Sequence, residues 1–157
     1  MTVKLIGGLI FGLSGVIMAL SYRRFQLRKL ATVDGFISLL FYIKGQIECF
    51  ARPRSDILAT LPLEIFSACN CPHGAATLEE LVEASRIYLD DEALRLVSSF
   101  ASEFGSTFRD EQLRRCDYYI SALSEERRRV FASVNSKGKA GGALWICACI
   151  AIIILLW

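Results

Sequence analysis

Hydrophobic and polar positions divide the chain into three stretches. Residues 5–22, LIGGLIFGLSGVIMALSY, and residues 140–157, AGGALWICACIAIIILLW, contain no charged side chain. As helices rising about 1.5 Å per residue, each is about 27 Å long, enough for a hydrocarbon core of roughly 30 Å. Between them lie all 16 acidic residues and all but Lys4 of the 18 basic residues. In this middle stretch apolar residues recur at three- and four-residue steps and no segment alternates as a strand does, which predicts helices throughout.

The first helix is expected to continue from the apolar run through Phe36, Ile37, Leu40, Ile43, Ile47 and Phe50, with Gly35 and Gly45 inside the pattern. Pro53 interrupts it because proline has no N–H to donate. A short helix from Asp56 to Leu61 follows, stopped by Pro62. Residues 62–76, PLEIFSACNCPHGAA, carry too many breakers to show a period. Thr77-Leu-Glu-Glu80 reads as a capping box, followed by one apolar face of Leu78, Leu81, Val82, Ser85 and Leu89. Asp90 and Asp91 open another helix, with Leu94, Val97, Ala101 and Phe104 on its seam and Gly105 as a left-handed cap. Thr107 and Asp110 open the last helix. Its seam runs through Leu113, Cys116, Ile120, Leu123, Val130 and Val134, with Arg127 the one charge in it and Gly138 a break before the second apolar run.

The expected architecture is therefore all-α: an antiparallel bundle of about five helices over residues 23–139, flanked by transmembrane helices at 3–22 and 140–157. Composition agrees, with 54% hydrophobic residues and a mean hydropathy of +0.42, which exclude a disordered chain. A net charge of only +2 excludes a strongly basic nucleic-acid binder.

Charge placement predicts orientation. Arg23, Arg24, Arg28 and Lys29 follow the first apolar run, and Arg127, Arg128, Arg129, Lys137 and Lys139 precede the second. The positive-inside rule then puts the middle region in the cytoplasm and both termini outside. Because basic residues follow the first run rather than precede it, the run reads as an uncleaved anchor and not a signal peptide. Gly8 and Gly12 have the spacing of a close helix–helix contact in lipid. The same glycines are also explained by the general frequency of Gly in membrane helices.

Catalytic chemistry is sparse. SKGKAGG at 136–142 lacks the spacing of a phosphate-binding loop, and His73 is the single histidine. Cys69, Cys71 and His73 are three candidate metal ligands, one short of a tetrahedral set and too closely spaced at the first pair. The expectation is a protein without cofactor or catalytic residues. Charge near a span attracts anionic lipid, which accounts for the arginine run 127–129. A membrane-tethered sensor or regulator using Cys69, Cys71 and His73 is the alternative. A channel is disfavoured because neither apolar run holds a charge.

Particular stretches resemble the stage III sporulation protein AB family. KLIGGLIF at 4–11 is similar to that family's opening. Ile47, Pro53, Asp56 and Leu58 resemble its E-I-x-x-x-x-x-P-L-x-E-x-L stretch, and Phe104-Gly105 with Gln112 resembles its F-G-x-x-L-G…Q segment. Lys137 and Gly141 fit its closing pattern. The chain departs from the family at Gln46, Arg54 and Phe100-Ala101, and residues 62–76 have no counterpart. The resemblance implies a mother-cell membrane protein of an endospore-forming bacterium. Its cytoplasmic domain would be similar to the inner-membrane platform protein of type II secretion and type IV pilus machines. The implied partners are a secretion-type ATPase like stage III sporulation protein AA and other membrane subunits of a channel between mother cell and forespore, with homo-oligomerisation open and nucleic acid not expected. Exposure and charge nominate Arg52, Arg54, Arg114 and Arg115 as a docking surface for that ATPase.

Overall fold

A computed structural model describes residues 2–50, 54–106 and 108–156, with side chains described over 14–49, 56–106 and 108–134. All regular structure among them is helical. The elements are α1 (Thr2–Phe50), α2 (Arg54–Ala59), α3 (Leu63–Ala68), α4 (Leu78–Ser85), α5 (Asp91–Glu103) and α6 (Arg109–Leu156), with a 3₁₀ turn at Arg86–Tyr88. The chain divides into two compact units, one of Arg28–Val130 and one of Met1–Leu27 with Phe131–Trp157.

Within Arg28–Val130, a single apolar core joins all six helices. From α1 it takes Val33, Phe36, Leu39, Leu40, Ile43 and Ile47, which return to one side at three- and four-residue steps. Ile57 of α2, Phe66 of α3, Leu81 of α4, Val97 and Phe100 of α5, and Cys116 and Leu123 of α6 close around them. Fully burying a side chain of this size stabilises by about 1.5–3 kcal/mol.

Ion pairs and caps order α1 against α6. Asp34 pairs with Arg127, Lys44 with Asp117 at 2.6 Å, and Arg109 donates to the backbone carbonyls of Ile47 and Glu48. Residue numbers rise along α1 as they fall along α6, so the two run antiparallel. Tyr42 fixes the α2 end by donating to the Thr60 carbonyl at 2.7 Å.

Local signals place α4 and α5. Thr77 accepts from the Glu80 amide at 3.2 Å, and the Glu80 carboxylate reaches back to the Ala76 amide at 2.9 Å, one residue before the usual capping-box donor. Every member of the expected α4 face is buried: Leu78, Leu81, Val82, Ser85 and Leu89. α5 ends at Glu103 with Phe104 as its C-cap, and Gly105 follows at φ +83°, the left-handed conformation glycine adopts without Cβ strain.

Several expectations are corrected. Among the described residues there are six α-helices and a 3₁₀ turn rather than about five helices. Residues 62–76 are not irregular throughout, because α3 occupies Leu63–Ala68. Pro62 stands at its N-cap, where a missing N–H costs nothing. Gly138 does not break α6, which runs through it to Leu156. One glycine costs a helix interior only about 1 kcal/mol, which the flanking turns absorb. α6 begins at Arg109, and Thr107, the expected opener, lies outside the described residues.

Among the described residues, one helix is long and apolar enough to cross a membrane, over Ser14–Cys49, where the sequence predicts two such helices. The backbone of the second apolar run is helical to Leu156, but its side chains lie outside the described residues, as do those of Gly8 and Gly12. In the unit of Met1–Leu27 and Phe131–Trp157, α1 leaves Val16, Ile17, Met18 and Leu20 between 52% and 67% exposed. Successive residues lie about 100° apart on a helix, so this apolar surface extends well around α1.

Candidate functional site

The end of α5, the Gly105 turn and the start of α6 form a polar cluster in the Arg28–Val130 unit. Glu103, half-buried at the end of α5, accepts from Arg115 at 2.9 Å and from the Tyr119 hydroxyl at 3.2 Å. Arg115 also meets Glu111 at 3.3 Å, one turn earlier on α6. Phe100 stacks on Phe104 with ring centroids 5.4 Å apart and meets Tyr119 edge-on at the same distance. Burial, then the Glu103 charge, raise the Tyr119 phenol above its ordinary value. This corner holds a void of about 10 Å³, lined by Phe100, Glu103, Phe104, Gln112, Arg115 and Tyr119. A second void of about 10 Å³ lies in the core among Phe36, Leu40, Val97 and Leu123. Neither is larger than the space of one water, so these residues pack and brace rather than bind a small ligand.

The nominated basic positions fare differently. Arg114 is exposed and 3.9 Å from Glu111, a loose contact. Arg115 is half-buried and shared by Glu103 and Glu111. Arg52 lies outside the described residues, and Arg54 opens α2 with its side chain likewise outside them. The structure does not bring the four into a described cluster.

Cys69, Cys71 and His73 are also separated in environment. Cys69 is fully buried in the core, and burial pushes its thiol up to about 12, with Cys71 adding to the shift. Cys71 is half-buried and its thiol donates to the Gly74 carbonyl at 3.2 Å, whereas His73 is exposed. Among the described residues no three His, Cys, Asp or Glu side chains gather as metal ligands.

Three features escaped the sequence reading. Arg109 caps the carbonyl end of α1, which has no basic residue in its own last turn. Ser85, fully buried, donates toward the carbonyls of Leu81 at 2.8 Å and Cys69, tying α4 to the end of α3. Gly35 lies against the backbone of Ala68. The only advance signal was a serine inside an apolar face.

What the described residues define is a helical unit in which several side chains bridge one helix to another, in a chain with a long apolar helix. A family model described as Stage III sporulation protein AB matches residues 73–157, more than half of the chain, and the chain belongs to that family. The match covers the Phe104-Gly105…Gln112 segment and the closing Lys137 and Gly141, while the opening KLIGGLIF and the Ile47–Leu58 stretch precede it. No curated protein and no solved structure matches the chain.

Proposed function

We propose that this protein is a non-catalytic membrane platform in a secretion-like sporulation channel between mother cell and forespore. Helices at 3–22 and 140–157 span the mother-cell membrane, and residues 23–139 face the cytoplasm, where they dock a secretion-type ATPase similar to stage III sporulation protein AA. Family membership is the observation that carries this reading. Exposed Val16, Ile17, Met18 and Leu20 on α1 support the first span, since such a surface is stable against lipid and costly against water. The bundle supports a mechanical rather than a chemical role, because its ion pairs at Asp34–Arg127, Lys44–Asp117 and Glu103–Arg115 link one helix to another.

The test is co-purification of the full chain with that ATPase from sporulating cells in mild detergent. Retention of the ATPase is expected. A full chain that remains folded in the membrane fraction and never retains the ATPase overturns the docking role. Digestion of the Thr77 region by protease added outside intact mother cells overturns the orientation.

A further inference from the structure

The positive charges near the two apolar runs are not equivalent. By sequence, the arginines at 127–129 form the obvious lipid-seeking run. In the Arg28–Val130 unit they are already matched: Arg127 faces Asp34, Arg128 faces Glu125 at 2.6 Å, and Arg129 faces Glu126 at 3.4 Å. A carboxylate at each of these guanidinium groups competes with a lipid phosphate for the same donors.

Arg23 and Arg24 differ. Both are exposed on α1, and no described side chain of their own unit pairs with them. Every acidic residue of the chain lies from Asp34 to Glu126, so none belongs to the unit of Met1–Leu27 and Phe131–Trp157. The arginines directly follow the exposed apolar surface Val16–Leu20, and Tyr22, 51% exposed, stands beside them. Apolar surface, then an amphipathic aromatic, then free cations is the order of groups met on passing from hydrocarbon to headgroups.

We propose that Arg23 and Arg24 bind the phosphates of anionic phospholipid headgroups in the inner leaflet, and that Arg127, Arg128 and Arg129 do not. The site rests on the membrane-spanning reading above. Two guanidinium groups one residue apart offer forked donors to phosphate oxygens.

The test measures lipids retained by the full chain in mixed micelles of equal phosphatidylglycerol and phosphatidylcholine, read by native mass spectrometry. Wild type is expected to retain phosphatidylglycerol preferentially. R23Q/R24Q should lower that preference about 30-fold, R23K/R24K should largely keep it, and R128Q/R129Q should leave it unchanged. Circular dichroism on each variant checks helical content. Loss of the preference in R128Q/R129Q, or its survival in R23Q/R24Q, overturns the proposal. Wild type that resists alkaline carbonate extraction but shows no headgroup preference overturns this proposal alone. Wild type released by carbonate overturns the spanning reading and the lipid site with it.

Discussion

Gly35 of α1 lies directly under the backbone of Ala68 at the end of α3. A Cβ built on Gly35 would stand 2.6 Å from the Ala68 carbonyl carbon and 2.7 Å from its oxygen. No real Cβ tolerates such distances against backbone, so α3 can close onto α1 only while this position lacks a side chain. Gly45, ten residues along the same helix, has nothing within 4 Å of the equivalent point.

The two glycines therefore make opposite predictions. Gly35→Ala forces α3 off the core and should destabilise by about 1–3 kcal/mol despite alanine's better helix propensity. Gly45→Ala should stabilise by about 0.5–1 kcal/mol. Unfolding midpoints of the full chain in mild detergent, followed by circular dichroism, check both. Equal shifts of the same sign would contradict the close approach.

Arg109 supplies the cap that α1 lacks. Arg109→Ala should cost about 1–2 kcal/mol through freed carbonyls at the end of α1. Lysine should restore less than half, because one ammonium does not reproduce a fork on two carbonyls. Hydrogen exchange gives the local readout, with faster exchange expected in the last turns of α1 rather than in α4.

Ser85 and Thr77 hold α4 at its two ends. Thr77→Ala removes the oxygen that accepts from the Glu80 amide and should cost about 1 kcal/mol. Ser85→Ala leaves the Cys69 carbonyl without its donor in a fully buried place and should cost about 1–3 kcal/mol. The same melts read these changes, and the serine variant is expected to be the weaker of the two.

Buried thiols give the stability curve an alkaline limb. Burial raises Cys69 to about 12 and Cys116 to about 11, from an ordinary 9.0. Below pH 9 both states hold these protons and stability is unaffected. Above it the unfolded chain releases protons that the folded chain keeps, so stability falls by about 1.4 kcal/mol per pH unit for each thiol until the folded value is reached. C69A/C116A should flatten that limb. Iodoacetamide at neutral pH should modify exposed Cys49 and spare Cys69 and Cys116.

Much of the bundle was legible where elements are long and amphipathic. The face from Leu78 to Leu89, the Thr77 cap and the left-handed Gly105 all follow from patterns within a few residues of one another. α3 was not legible, since six residues are less than two turns and show no period. The Gly35–Ala68 approach joins positions far apart in the chain, and nothing local announces it. Of the candidate site, the basic residues were visible, but the place of Arg115 between Glu103 and Glu111 was not. Which carboxylate stands opposite depends on helix rotation and offset, as with Asp34 facing Arg127. The sequence also marked Arg127 as a charge in an apolar seam, and its place at an exposed edge agrees with that.

The links between α1 and α6 sit at three heights, at Asp34–Arg127, Lys44–Asp117 and the Arg109 clasp on Ile47 and Glu48. Sliding one helix past the other by a single turn, about 5.4 Å, would carry all three out of reach together. Axial displacement within Arg28–Val130 must therefore break every rung at once or none. Below that threshold the pair transmits a push along its length as a single strut.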